Sequence, residues 1–457
     1  MKVWMSILFV VAAVAGIWIV APKRTAASPG AFRVFFSGDT RGRLVPCGCF
    51  TGQMGGLTRL KTLLLTNSGA TDVKVDVGGA IAGAEDFQVM QYDYLLRAYA
   101  DMGYDALNIG HREAELSAAQ LAGFRKTSPV TLLSANLFDK STGQRIFEAS
   151  KRIKRGGHTI AIVGVLDPRC MTDELGQGLR IEPMENVLED LLPRLRKESD
   201  AIILLAWTDE SGLDRLAQQF YEANLILGGK VSQPSQKLIK ENRSYVLYTA
   251  NESRAVGALN VHLTPRFVGA NFQMTLLDSA IPEDPGMVKL AAEYRDKIRG
   301  TPLNIDDARQ LEADEVPGIK NTAGYAGTPS CVKCHATAMD TWAHTAHSQA
   351  FASLAAKKAE ADPNCLGCHT VGFGQVSGYQ RKLQGSRLAS VGCESCHGPG
   401  SLHVAERLAG GRVNFKFRPL AAGDCKQCHH GEFSPPFDWD ACWSKIRHGN
   451  ETKLSRN

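Results

Sequence analysis

The chain has 457 residues, of which 44% are hydrophobic and 22% are charged, and its formal net charge is +5. A chain of this length is expected to form two or three domains with sizeable hydrophobic cores. The positive charge is mild and spread along the chain, without the basic stripe that nucleic-acid binding requires, so nucleic acid is not an expected partner.

The N-terminus carries a long apolar segment between positive charges. The segment Val3–Val20 follows Lys2 and precedes Lys23 and Arg24. This pattern is typical of an export signal or an uncleaved anchor, and the run is long enough to span a bilayer. We expect residues 1–28 to direct export, either as a signal peptide or as a membrane anchor, and the pattern leaves cleavage open.

Short apolar segments alternate with helix-like segments over residues 29–280. Strands are expected at Arg33–Ser37, Val73–Val77, Ala106–Ile109, Val130–Ser134, Thr159–Val165, Ala201–Ala206, Leu225–Leu227, Tyr245–Thr249 and Ala258–Leu263, and helices at Phe87–Asp101 and Met184–Lys197. This alternation predicts an α/β domain whose sheets are covered by helices. In the last strand the apolar side chains lie on one face, which leaves His262 on the other as a surface histidine.

Residues 281–326 are more polar and are expected to form a linker that contains one helix, Met287–Ile298. Residues 327–457 have few apolar residues between their cysteines. Such a segment cannot bury enough surface to offset the entropy of ordering its chain. We therefore expect it to fold only around a cofactor.

Four copies of Cys-x-x-Cys-His lie within this last segment. Their cysteines and histidines are Cys331, Cys334 and His335; Cys365, Cys368 and His369; Cys393, Cys396 and His397; and Cys425, Cys428 and His429. Each motif is typical of a c-type haem attachment site, in which the thiols form thioethers and the histidine is the proximal iron ligand. Zinc ribbons also use paired cysteines, but they do not require histidine after every second cysteine. Four c-type haems are therefore predicted.

Each haem iron can take a second axial ligand. The remaining histidines of the segment are His344, His347, His403, His430 and His448. His344 and His347 are three residues apart, so both can lie on one face of a helix. His430 directly follows a proximal histidine and is poorly placed to reach the same iron. An iron with two histidine ligands suits electron transfer, whereas an iron without a sixth ligand can bind a small molecule.

Residues 327–449 resemble the tetrahaem cytochromes typified by cytochrome c-554, an electron carrier of ammonia oxidisers. The resemblance is carried by Trp342 with His347–Ala350, by Cys368–Gly374, by Gly392–Gly400 with His403, and by Lys445–His448. It implies a mainly α, haem-packed domain with two histidine ligands on three haems. It further implies His347 as the distal ligand of the third haem, His403 of the first and His448 of the fourth. The second haem, on His369, would then be five-coordinate.

The N-terminal globular region resembles the calcineurin-like metallophosphoesterases, and within them the periplasmic nucleotidases. The matching stretches are Phe36–Gly42, Gly55–Arg59, Asp76–Gly79, Asn108–Glu113, Ser134–Leu137, Leu204–Trp207 and Ile226–Gly229. The resemblance implies an α/β sandwich of the metallophosphoesterase type. In such folds the site lies at the carboxyl ends of the strands.

The metal ligands that this resemblance implies are largely replaced. Asp39 matches the first ligand, but Arg41 stands in place of a histidine and Gly79 in place of the bridging aspartate. His111 and Arg112 replace the family's asparagine and catalytic histidine, the histidine expected around Trp207 and Thr208 is absent, and Lys230 and Ser232 replace two further histidines. Arginine and lysine do not coordinate divalent metals, so no dinuclear metal and no phosphoesterase activity are expected. Two alternatives remain for the positive charges: a structural ion-pair cluster, or an anion pocket.

Four cysteines lie outside the haem motifs. Cys47-Gly-Cys49 follows Asp39 closely and is compatible with a strained disulfide, a soft-metal ligand pair with His111, a redox relay or two inert thiols. Cys170 and Cys442 have no partner that the sequence identifies.

The sequence as a whole favours an exported multihaem cytochrome that transfers electrons, with an inactive phosphoesterase-like domain for docking or anion binding. Redox partner proteins in the periplasm, or at the outer face of the cytoplasmic membrane, are the expected partners, with membrane association through the N-terminal segment. The first alternative is a redox enzyme acting on a small nitrogen or oxygen species at the five-coordinate haem. The second is a periplasmic nucleotidase or phosphoesterase.

Overall fold

The computed structural model describes residues 31–46, 53–263, 266–307, 324–375, 377–382, 386–410, 420–429 and 437–448. The predicted export segment, Cys47, Cys49 and His430 lie outside these residues. Within the described ranges, no helix has the length and apolar character needed to cross a membrane.

Strands belong to the N-terminal part of the chain. They are β1 (Ala31–Ser37), β2 (Val73–Asp76), β3 (Ala106–Asn108), β4 (Leu132–Leu133), β5 (Leu137–Asp139), β6 (Ser150–Arg155), β7 (His158–Leu166), β8 (Leu179–Ile181), β9 (Ala201–Trp207), β10 (Leu225–Gly228), β11 (Ile239–Glu241), β12 (Ser244–Tyr248), β13 (Ala255–His262) and β14 (Val268–Leu276).

Helices occur in both parts. They are α1 (Leu57–Asn67), α2 (Asp86–Asp101), α3 (Ala118–Thr127), α4 (Met184–Glu198), α5 (Glu210–Gln219), α6 (Pro285–Gly300), α7 (Asn304–Asp307), α8 (Ala336–Ala343), α9 (Ala350–Ala356), α10 (Pro363–His369), α11 (Cys393–His397), α12 (Ser401–Leu408), α13 (Ala422–Cys425) and α14 (Trp439–Ile446).

Two six-stranded sheets form the centre of the N-terminal part. One has the strand order β14-β13-β1-β2-β3-β4, and the other has the order β11-β12-β10-β9-β7-β6. Strands β1 to β4 are parallel, as are β7, β9, β10 and β12, while antiparallel strands lie at the edges. The inner faces share one apolar cluster, to which Phe36 and Val75 contribute from the first sheet and Leu205 and Leu247 from the second. The predicted α/β sandwich is thus confirmed.

Helices cover the outer faces because their apolar residues recur at helical spacing. In α4 the residues Val187, Leu188, Leu191, Leu192 and Leu195 are buried, and they pack with α5 on the second sheet. Every residue of β9 is buried because both faces of its sheet are covered. Each leucine buried in this way contributes roughly 1.5–3 kcal/mol to stability.

The predicted strands and helices lie within one or two residues of the observed ones in most cases. The segment Val130–Ser134 differs, since only Leu132–Leu133 pairs as a strand. The helix predicted within a linker is α6, and its apolar side packs in the same cluster as α1 and α2. It is therefore part of the N-terminal core.

The C-terminal part consists of short helices with little core of its own. Helices α8, α12 and α14 have no buried residue. A small apolar cluster around the second cysteine motif contains Leu354, Ala359, Leu366, Val371, Tyr379 and Leu388. So small a core agrees with the expectation that haem supplies the missing apolar volume.

Candidate functional site

Each Cys-x-x-Cys-His motif folds as a single turn that presents its three chemical groups together. The second and third motifs lie in α10 and α11. In the first and fourth, the histidine N–H donates to the carbonyl of the first cysteine, at 3.0 Å for His335 to Cys331 and 2.8 Å for His429 to Cys425. Residues three and four apart share a helix face. Both thiols and the imidazole therefore project toward one side, as covalent haem requires.

Three of the motif histidines face a second histidine ring. The ring centres are 6.1 Å apart for His335 and His403, 6.0 Å for His347 and His429, and 5.9 Å for His397 and His448. A metal–nitrogen bond of about 2.0 Å on each side, with about 1 Å more from nitrogen to ring centre, gives a separation of about 6 Å. Each pair therefore has the spacing of two axial ligands to one iron.

The pairing implied by the family resemblance is wrong for two haems. His403 faces the first motif, as expected. His347 faces the fourth motif instead of the third, and His448 faces the third instead of the fourth. Order along the chain does not determine which haem face a distant histidine reaches, because tertiary packing decides it. His344 is 78% exposed and bonds to the carbonyl of Asp340 through Nδ1, so His347 is the better ligand candidate.

A hydrogen bond defines the orientation of the imidazole ring in the second motif, that of His369. Nδ1 of His369 donates to the carbonyl oxygen of Ala350 at 2.7 Å. This bond fixes the tautomer and leaves the lone pair of Nε2 for iron. Five-coordination of this haem stays a prediction.

Four rings of the facing pairs are in an environment suited to ligation. Burial lowers the pKa of four of them: His347, His397, His403 and His429. Neutral imidazole is the form that binds a metal. These rings are therefore in ligand form at neutral pH.

The motifs lie in contact with one another. The thiols of Cys331 and Cys393 lie close enough to interact, which places the first motif beside the third. Those of Cys368 and Cys428 similarly place the second motif beside the fourth. The attachment edges of the haems would therefore be adjacent in pairs.

Glu394, between the two cysteines of the third motif, was not singled out by the sequence. It is 5% exposed and accepts hydrogen bonds from the backbone N–H groups of Ala326, Gly327 and Gly400 at 2.7–2.8 Å. It thereby fixes the chain that leads into the first motif. Only its position inside a motif, combined with the cost of burying an unpaired carboxylate, could have indicated this role.

In the N-terminal domain, Asp39 accepts from two arginines. Arg41 donates through Nε and Nη2 at 2.9 and 2.8 Å, and Arg112 donates through Nη1 at 2.9 Å. The Asp39 carboxylate is 4% exposed. The residue that matches a metal ligand is thus engaged by two fixed cations.

A second buried carboxylate, Glu252, continues this cluster. It lies 3.1 Å from Arg41, 3.2 Å from Arg43 and 2.7 Å from Arg254. Asp39, Arg41 and Glu252 all have left-handed backbone, with φ of 53°, 50° and 60°. Strain of this kind persists only where surrounding contacts impose it. Glu252 was missed in the sequence because it lies outside the matching stretches.

Trp207 fills the space beside Gly79, where the metallophosphoesterases have their bridging aspartate. A Cβ added to Gly79 would lie 2.5 Å from Cη2 of the indole, and one added to Gly229 would lie 2.4 Å from Cε3. The His111 ring stacks on the same indole, with ring centres 5.2 Å apart. Burial, then the nearby Arg112, lowers the pKa of His111 to about 3. His111 is therefore a neutral packing residue.

The Nζ of Lys230 donates to the carbonyl of Cys170 at 2.7 Å. Cys170 itself is buried, and Cys442 is partly exposed. Among the residues that the structure describes, no three or more His, Cys, Asp or Glu side chains are grouped to hold a metal ion. The groups around Asp39 and Gly79 are the guanidinium groups of Arg41 and Arg112 and the indole of Trp207, and these are not ligands for divalent metals.

Comparison with known proteins relates the C-terminal part to cytochromes. Residues 330–398 match the model of the family "Cytochrome c554 and c-prime". Over 93 residues the chain is 41% identical to cytochrome c-554 of Nitrosomonas europaea, which covers 17% of this chain and 40% of that protein. The C-terminal part is therefore similar to cytochrome c-554. The family match ends before His403, the fourth motif and His448, so their assignment depends on the geometry.

The N-terminal part is similar to 5'-nucleotidases. It is 24% identical to the 5'-nucleotidase of Vibrio cholerae over 178 residues, which cover 34% of this chain and 32% of that protein. The structure of a 5'-nucleotidase precursor from Thermus thermophilus matches with a TM-score of 0.52 and 18% identity, covering 59% of each chain. This likeness shows the fold. The chain thus spans less than two thirds of each of these proteins. It combines one part similar to 5'-nucleotidases with one part similar to cytochrome c-554.

Proposed function

We propose that this chain transfers electrons through four covalently attached haems. The observation that carries the proposal is the spacing of the three facing histidine pairs, 5.9–6.1 Å between ring centres. An iron held on both sides by histidine has no open position for substrate. Such an iron exchanges electrons without binding a reactant.

The adjacency of the motifs supports transfer within the chain. The first motif contacts the third and the second contacts the fourth through their cysteines. Haems held by these motifs would supply electron-transfer chemistry, and their attachment cysteines are neighbours in the fold. We propose that redox proteins of the periplasm supply and accept these electrons.

The proposed location is the periplasm or the outer face of the cytoplasmic membrane. Covalent haem attachment occurs outside the cytoplasm, and the cationic and apolar pattern of residues 1–28 is that of an export segment. Both features support the same compartment. Whether that segment remains as an anchor stays a prediction.

We further propose that the nucleotidase-like domain does not hydrolyse phosphoesters. Trp207 and Gly79 leave no bridging ligand and little space for a metal. Asp39 is paired with Arg41 and Arg112, and Arg41 also lies against Glu252. Because carboxylates already engage these arginines, the arrangement favours a structural ion-pair cluster over an anion pocket.

The electron-transfer proposal is tested by the electron-paramagnetic-resonance spectrum of the exported protein, with and without nitric oxide. We expect at least three low-spin haems whose signals do not change when nitric oxide is added. A fourth, high-spin haem that binds nitric oxide would establish the open second haem and restore redox enzyme chemistry as a candidate. Fewer than three low-spin haems would contradict the facing pairs as axial ligands.

The absence of hydrolysis is tested with nucleoside monophosphates in the presence of manganese, magnesium or zinc. We expect no phosphate release above that of a sample without protein. Release that depends on metal, and that disappears in Asp39→Asn, would contradict the proposal.

A further inference from the structure

Helix α6 connects the two parts of the molecule. One side of it is buried in the N-terminal core, where Met287, Ala291, Tyr294 and Ile298 are at most 3% exposed. The other side carries arginines that reach the C-terminal part. Of the hydrogen bonds described between residues 31–307 and residues 324–448, all end within residues 357–382. That stretch contains the second haem motif.

Arg381 is the central residue of this connection. Its guanidinium bonds to both carboxylate oxygens of Asp306, at 3.0 and 3.1 Å, and both side chains are only 5% exposed. It also donates to the carbonyls of Ile298 at 3.3 Å and Thr301 at 2.9 Å, at the end of α6. A cation on these carbonyls stabilises the helix terminus, and a two-point arginine–carboxylate pair fixes orientation as well as distance.

Further contacts hold the chain just before the second motif. Arg295 donates to the carbonyl of Lys357 at 3.1 Å, and Arg299 donates to that of Lys358 at 3.2 Å. Arg381 donates to the carbonyl of Ala361 at 3.0 Å. The next residue, Asp362, caps α10 by accepting from the N–H of Asn364 at 3.0 Å. The turn that carries Cys365, Cys368 and His369 is therefore held at its start by groups fixed to the N-terminal domain.

Tyr294 extends from the N-terminal core toward the same motif. It is 2% exposed, and its hydroxyl has no hydrogen-bond partner among the described residues. Asp362 and Cys365 lie within electrostatic range of that hydroxyl. The surroundings of the second attachment site thus include a side chain of the other domain.

We propose that the nucleotidase-like domain is the scaffold of the second haem. Arg381 acts as the positioning residue that fixes the attachment turn and, through it, the reduction potential of that haem. The inference rests on the proposed function, since it requires haem on this motif. Potentials depend on burial and on the contacts that orient the haem and its ligand. A loosened turn therefore alters one potential of the four.

The test is redox titration of the exported, full-length protein in which Arg381→Met is compared with the unaltered chain. Arg152→Met is the matched control, because Arg152 forms an exposed ion pair with Glu198 away from the haem motifs. We expect one of four midpoint potentials to shift in Arg381→Met and none in the control. Amide hydrogen exchange should also become faster in residues 357–369, with the first, third and fourth motifs unchanged.

Asp306→Asn provides a second test if Arg381→Met is exported without haem. It keeps the size of the side chain and removes its charge, so the same single potential should shift by less. Four unchanged potentials, or four that shift together, would overturn the inference. If the unaltered chain carries no covalent haem, the proposed function fails before this comparison begins.

Discussion

The indole of Trp207 occupies the position that a side chain on Gly79 would need, 2.5 Å from Cη2 to an added Cβ. Gly79 also has a φ of 74°, a conformation that side-chain-bearing residues rarely adopt. Trp207 and Gly79 therefore form a packing contact at the position where the family resemblance implies a metal ligand.

We expect Gly79→Ala to destabilise the N-terminal domain by about 3 kcal/mol, because backbone strain and overpacking add. Gly143→Ala is the matched control, since Gly143 has a φ of 69° but nothing within 4 Å of an added Cβ. It should cost about 1 kcal/mol from strain alone. Denaturant unfolding measures both, and equal losses would show that Trp207 does not crowd Gly79.

A buried carboxylate holds the two loops that contain Gly79 and Gly110. Glu113 is 0% exposed and accepts from the backbone N–H groups of Gly79, Ile81 and Gly110 at 2.9–3.1 Å. Glu113→Ala should lower the free energy of unfolding by about 3 kcal/mol or more, because buried donors are left unpaired. Glu113→Gln keeps an acceptor and should lose less. A larger loss in Glu113→Gln than in Glu113→Ala would contradict this role.

The stability of the N-terminal domain should fall on acidification because of His111. Its pKa of about 3 in the folded state lies below the 6.5 of an ordinary histidine. The unfolded chain therefore binds the proton more readily, and stability is lost as pH falls from about 6.5 toward 3, by up to about 5 kcal/mol. His111→Phe keeps the ring that stacks on Trp207 and removes the titration.

Denaturant unfolding of the unaltered chain and of His111→Phe, each at pH 7 and pH 5, measures how much of the stability lost on acidification is due to His111. Asp76, whose pKa burial raises to about 6, has the opposite dependence: its contribution to stability decreases as pH rises from about 4 to 6. Asp76 is common to both proteins and cancels in the comparison. Parallel losses on acidification in the two proteins would exclude His111 as the cause.

The corrected histidine pairing is tested by paramagnetic resonance of single variants. The ring planes are 29° apart for His335 and His403 but 63° apart for His397 and His448. Steeply crossed rings leave the iron orbitals nearly degenerate and give a more anisotropic low-spin signal. His448→Ala should therefore remove the most anisotropic signal, and His403→Ala the least anisotropic one.

His344→Ala is the control for these variants, because its ring is exposed and bonds to the carbonyl of Asp340. It should leave every low-spin signal in place. A low-spin signal that disappears in His344→Ala but persists in His347→Ala would reverse the assignment of the distal ligand.

The sequence predicted the sheet elements well because they depend on local pattern. Alternating apolar residues place Leu259 and Val261 inside and His262 outside, and the structure agrees. Each Cys-x-x-Cys-His turn is also a local structure, because it forms within five consecutive residues.

The sequence could not reveal relations between distant segments. His347 and His429 are far apart in the chain, and no pattern indicates that their rings meet. The pairing of Arg381 with Asp306 is equally non-local, and α6 appeared to belong to a linker because its surroundings are polar. These features depend on tertiary packing between distant segments. Periodic residue patterns in one sequence indicate helices and strands but not such contacts.

The central claim is that all four motifs carry covalent haem. Mass spectrometry of proteolytic peptides from the exported protein tests it most directly, because a thioether-bound haem remains on its peptide. We predict that the peptides containing Cys331, Cys365, Cys393 and Cys425 each carry one haem. Free thiols on these peptides, together with protein-bound zinc, would contradict the account.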